Sequence, residues 1–153
     1  MGRKTNTTDN ATRRLARLAA VQGLYQIALS LEPAETLISR FCADPCLLLQ
    51  EDQTVIEVDG ALFGTIISGV IKNQDNLDAM IAGALDARLS AKRLELLLKI
   101  ILRAGAFELH HSSDIPEGII VNDYVDVAHG FFNSKEPALI NAVLDRLAKK
   151  LRS

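Results

Sequence analysis

ILRAGAFEL, from Ile101 to Leu109, is followed by DIPEGIIVNDYVDVA from Asp114 to Ala128 and by INAVLDRLA from Ile140 to Ala148. In each segment apolar residues recur three and four positions apart, the period of a helix with one buried face. Prolines punctuate them. Pro116 lacks the N–H that an interior helical residue donates, and Pro137 suits the first turn of the segment it opens. Upstream, Leu94, Leu97, Leu98, Ile101, Leu102, Gly105, Ala106 and Leu109 cover a wide arc. A helix over 91–111, capped by Ser90, is therefore expected to be central and buried on more than one side. Gly105 would let a neighbouring backbone come close, offsetting its helix cost of ~1 kcal/mol relative to Ala.

The same period extends toward the N-terminus. Leu15, Leu18, Ala19, Val21, Gln22, Tyr25 and Leu29 predict a first helix over 11–30, with Asn10 or Thr12 as its cap. Pro33 starts a second, running to Ala43 with Leu37, Ile38 and Phe41 inward. Residues 44–57 read as a loop with a short apolar piece, Leu47 to Leu49. Asp59 or Gly60 opens a third helix bearing Leu62, Phe63, Ile66, Ile67, Val70 and Ile71, and Asn76 caps a fourth bearing Leu77, Met80, Ile81 and Leu85. The Pro-started helices span 117–131 and 137–151, the last burying Leu139, Ile140, Val143, Leu144 and Leu147. The chain has 153 residues, 48% hydrophobic and only 5% aromatic, with no Trp. That composition suits helix-on-helix packing. The prediction is an all-α single domain of about seven helices over 11–153, preceded by a flexible basic arm, residues 1–10.

Charge is unevenly placed. Arg3, Lys4, Arg13, Arg14 and Arg17 face only Asp9 within residues 1–17, a net +4, while the rest holds 12 cations and 18 carboxylates, a net −6. A basic terminus on an acidic body suggests one surface for a polyanion and another for a basic protein. Cys42 and Cys46, in CADPC, match neither a redox CxxC nor half of a usual zinc knuckle, and read as buried free thiols of a reducing cytoplasm. There is no apolar leader and no membrane-length run. No Walker loop, nucleophile elbow, paired glycine fingerprint or HExxH spacing occurs, so no catalytic residue, cofactor or metal is assigned.

Arg13, Arg14 and Arg17 lie at i, i+1 and i+4, a spacing that groups them on one side of a helix. Guanidinium groups there can pair with phosphates or stack on unpaired bases, with Arg3 and Lys4 adding phosphate contacts. Tyr25 reads either as a stacking face or as a core residue. His110 and His111 read as surface or helix-end residues, and His129 is isolated. Arg103, Glu108, Asn122 and Asn141 read as a buried polar network joining the last helices.

Four pieces in order resemble the NusB family of bacterial transcription antitermination factors. RRLARLAAVQGLYQ (Arg13–Gln26) is similar to that family's arginine-rich start followed by AVQALY. LRAGAFEL resembles LRxAxYEL, DIPxxxxVNDYVDVA resembles DIPxxVxINExVELA, and INAVLDRLA resembles VNGVLDKIA. The resemblance implies an all-helical fold of two packed subdomains and a non-enzymatic role. It implies binding of single-stranded boxA RNA in ribosomal RNA leaders with the ribosomal protein NusE, in the polymerase complex with NusA and NusG. Arg13, Arg14, Arg17 and Tyr25 would carry the RNA. In FFNSKEPALINA (Phe131–Ala142), which matches an RNA-facing rim, Lys135 stands where an acidic residue is common and Leu139 where Phe is common. Asn76 and Leu98 fall on the helices implied to meet the ribosomal partner, Leu98 where many members carry a carboxylate. Other readings within the resemblance are a homodimer, or an interaction module of ribosome assembly without antitermination activity.

Overall fold

The computed structural model describes residues 2–44, 57–85 and 94–152, with side chains from residue 10 onward. The expected loop piece Leu47–Leu49, Cys46, the cap Ser90 and the helix start Ala91 lie outside the described residues. The described residues form seven helices: α1 Gly2–Ser30, α2 Ala34–Ala43, α3 Gly60–Lys72, α4 Gln74–Ala84, α5 Leu96–His111, α6 Glu117–Phe131 and α7 Glu136–Leu151. No strand occurs among them, and no described helix is long and apolar enough to cross a membrane.

The boundaries follow local chemistry. Pro33 and Pro116 occupy the N-cap positions of α2 and α6, and Pro137 falls in the first turn of α7. Asp59 caps α3, its Oδ1 accepting the Leu62 N–H at 2.9 Å. Three starts differ from expectation. α1 begins at Gly2 rather than near residue 11, so Arg3 and Lys4 belong to the helix. α4 is preceded by Asn73, which leaves Asn76 inside the first turn instead of at the cap. α5 begins at Leu96, behind Glu95.

Two compact units divide the chain, Met1–Ser68 and Gly69–Ser153. In the first, α1 packs on α2, and Phe41 of α2 stacks on Phe63 of α3 with ring centroids 3.9 Å apart. The Asp59 N–H donates to the Thr12 carbonyl at 3.2 Å, fastening the start of α3 to α1. Between α1 and α2, Leu31 holds a left-handed backbone (φ 59°), a conformation costing ~1–2 kcal/mol for an L side chain.

In the second unit α5 is central, packing on α4, α6 and α7. Ten of the twelve positions from Leu98 to Leu109 are buried, all but Lys99 and Arg103, so the wide apolar arc does mark a helix covered on several sides. Gly105 sits under the side chain of Leu144, whose methyls lie 2.7 and 2.8 Å from where a Cβ would stand; the close neighbour is a side chain, not a backbone. Gly69 is tighter still, since a Cβ there would meet the Phe107 ring at 2.1 Å.

Arginines tie the unit's helix ends together. Arg103 forms a two-pronged pair with Asp78 at 2.7 and 3.0 Å. Arg146 donates to the Ala84 carbonyl at the end of α4. Arg152 donates to the carbonyls of Leu109, Ser112 and Ile115, closing the end of α5 and the turn into α6. The expected network of Arg103, Glu108, Asn122 and Asn141 does not form, as Arg103 pairs with Asp78 instead. Glu108 is buried and accepts the Tyr124 hydroxyl at 2.6 Å, while Asn122 and Asn141 are exposed. Cys42 is exposed rather than buried.

Candidate nucleic-acid interface

On α1 the buried positions are Ala16, Arg17, Ala19, Ala20, Val21, Gly23 and Leu24. Most are small, so the helix is held by close approach rather than by long apolar side chains. This sets its rotation. Arg14 faces outward, Arg13 is partly exposed, and Arg17 has no solvent exposure at all. Of the three arginines expected on one outer face, Arg17 instead lies among the buried positions 20, 21 and 24, so its guanidinium is not on the outer face.

Arg14 and Tyr25 stand eleven positions apart, about three turns, which returns them to one side of the helix roughly 16 Å apart. Tyr25 is 37% exposed, which makes it an outward ring and not a core residue. Arg13 Nε lies 3.9 Å from Asp59 Oδ2, at the outer limit of an ion pair, and the other oxygen of that carboxylate is engaged in capping α3. Such a half-exposed pair is worth little and competes weakly with a phosphate. The α1 face therefore offers a cation at each of two neighbouring positions and an aromatic ring three turns on, the elements that phosphate pairing and base stacking need.

The remaining candidates lie in the second unit. Lys135 is exposed at the N-cap of α7, and Leu139, whose N–H donates to the Lys135 carbonyl at 3.0 Å, is half-buried one turn on. Phe131, a residue that the sequence does not single out, ends α6 at 40% exposure four residues before Lys135. Helical period alone would put it on the buried stripe of Tyr124, Val127 and Ala128; it is exposed in the last turn, after Gly130. Asn76 is exposed on α4. Leu98 is only 5% exposed, so its side chain lies in the core of the second unit. His110, His111 and His129 are exposed in the last turns of α5 and α6, with His111 stacked on Phe107. Among the described residues no group of three or more His, Cys, Asp or Glu side chains is placed to hold a metal ion.

A model of the NusB family matches residues 14–149. The transcription antitermination protein NusB of Sinorhizobium fredii is 41% identical over 140 residues, 92% of this chain and 88% of that protein. The protein of the same name from Nitrobacter hamburgensis is 36% identical over 151 residues, 98% of this chain and 94% of that protein. Among solved structures, NusB of T. maritima aligns with a TM-score of 0.72 at 24% identity, over 92% of this chain and 93% of that one. A chain from the crystal structure of antitermination factors NusB and NusE in complex with dsRNA aligns with a TM-score of 0.71 at 21% identity, over 90% of this chain and 96% of that one. At those identities the solved structures speak for the fold. The family match, running from the middle of α1 to the last turns of α7, takes in Arg14, Tyr25 and Lys135, and together with relatives 41% identical over nine-tenths of the chain it makes this protein a member of the NusB family.

Proposed function

We propose that this protein is an RNA-binding transcription antitermination factor, which holds boxA in ribosomal RNA leader transcripts together with NusE and supports processive transcription of ribosomal RNA. Family membership supports the reading, as do relatives named for transcription antitermination and a fold shared with a NusB chain solved beside NusE and RNA. The observation that carries the site is the outward stripe of α1, with Arg14 and Tyr25 on one side of the helix and Arg13 next to them.

In this reading Arg13 and Arg14 neutralise phosphates, and Arg3 and Lys4 on the first turns of α1 add to them. Tyr25 stacks on a base. Lys135 supplies a cation, and Leu139 an apolar contact, at a rim where an aromatic ring is common in the family. The acidic remainder of the chain, net −6, favours encounter with a basic ribosomal protein, and Asn76 lies on the surface assigned to it. The function is one of binding, with no chemical step. NusA and NusG complete the assembly on the polymerase. A homodimer would compete for the RNA face, so light scattering belongs with any binding assay.

The test is transcription through a boxA leader and a terminator with polymerase, NusA, NusG and NusE. Adding this protein should raise read-through on the boxA template and leave a scrambled-boxA template unchanged. Equal read-through with and without the protein would overturn the proposal.

A further inference from the structure

We propose that the RNA face of α1 runs on beyond Tyr25 to Leu29 and Leu31, which form an apolar shelf for unpaired bases. This rests on the reading of the protein as RNA-binding. Leu31 and Leu29 are the most exposed large apolar side chains among the described residues, at 86% and 64%. Leu29 lies one turn past Tyr25 on the same outward stripe, and Leu31 follows directly after the helix end.

The shelf is held in place. The Leu31 N–H donates to the Ile27 carbonyl at 2.8 Å, and the Ser30 hydroxyl donates to the Gln26 carbonyl at 2.7 Å. Glu32 accepts from Gln26 Nε2 at 3.1 Å and from both terminal nitrogens of Arg40, at 2.9 and 3.1 Å. These bonds keep a leucine outward in a left-handed conformation that favours glycine. A leucine with a strained backbone and a side chain 86% exposed gains little burial within the fold, which points to a use outside it.

Two features favour bases over a protein. The shelf continues a stripe that begins at Arg14, about 22 Å away along the helix, so phosphate contacts at one end lead to apolar contacts at the other. Leu29 and Leu31, even with Tyr25, also fall far short of the roughly 20–30 residues per side of a stable protein interface, yet match the face of one or two bases.

The test is Leu31→Gly, which relieves the backbone strain while deleting the side chain, with Leu29→Ser as a second variant. Binding of a labelled single-stranded boxA RNA is measured with and without NusE, beside thermal melting. Leu31→Gly should melt at the wild-type temperature or above and bind RNA about fivefold more weakly, the effect of partly uncovering one leucine. The salt dependence should keep its slope, since no phosphate contact is lost. RNA affinity equal to wild type in both variants would overturn the proposal, and so would a loss confined to NusE capture. Wild-type protein that binds no RNA would instead sink the function on which the shelf rests, a separate result.

Discussion

A guanidinium with no solvent exposure, such as that of Arg17, leaves unmatched partners and a void when it is cut back. Arg17→Ala is expected to cost on the order of 3 kcal/mol of stability, read by urea denaturation, and to leave the salt slope of RNA binding unchanged in the folded fraction. Arg14→Ala should do the reverse, with melting unmoved and the log–log salt slope for single-stranded RNA shallower by ~0.7. If both variants changed the slope equally, the rotation assigned to α1 would be wrong. The arginine cluster was legible in the sequence, but which of its members point outward was not. Leu15 and Leu18, counted among the periodic positions, are only half-buried, while Ala16, Ala20 and Gly23 are buried, because small residues let the helix sit close. Hydrophobic periodicity gives little weight to such residues, and the error moved Arg17 outward and left Tyr25 ambiguous. The polar network failed in a similar way: Asp123 and Tyr124 turn inward where Asn122 was expected to. Tyr124→Phe removes the 2.6 Å donor from the buried Glu108 carboxylate and should cost about 1.5–3 kcal/mol in the same denaturation assay.

At the scale of elements, the helix ends in the second unit are closed by arginines from elsewhere in that unit. Arg152 satisfies three carbonyls that the end of α5 and the following turn leave open. Arg152→Ala should lower stability by about 2 kcal/mol and speed hydrogen exchange in α6's first turns more than in α4. Uniform acceleration would mean that the clamp is not local. Helix starts marked by proline or by Asp59 were readable, because those residues act within their own turn. The role of Arg152 was not, since it acts across about forty residues; the sequence suggested only a cation near its own helix end. Glycine behaves likewise. Gly105→Ala forces a methyl against Leu144 and should cost about 1–3 kcal/mol, and Gly69→Ala, aimed at the Phe107 ring, should cost more by thermal melting. Gly105 stood out in the sequence inside a long apolar arc, whereas Gly69 gave no sign of the ring above it.

At the scale of the whole molecule, the seven helices of the described residues and their order were readable from period and punctuation, and the order of four short motifs pointed to the NusB family to which the chain belongs. A net +4 over the first seventeen residues against −6 over the remainder makes RNA affinity depend on a few placed cations, not on bulk charge. It should therefore fall with salt by only ~0.7 in log–log slope per phosphate contact, draw its sequence selectivity from base contacts such as that of Tyr25, and be strengthened by a basic protein on the acidic remainder. The most direct measurement is fluorescence anisotropy of a labelled single-stranded boxA RNA titrated with this protein, with and without NusE, at two salt concentrations and against a scrambled strand. The account predicts tighter binding to boxA than to the scrambled strand, with a further gain when NusE is present. Equal binding to both strands, lost alike in salt and indifferent to NusE, would contradict it.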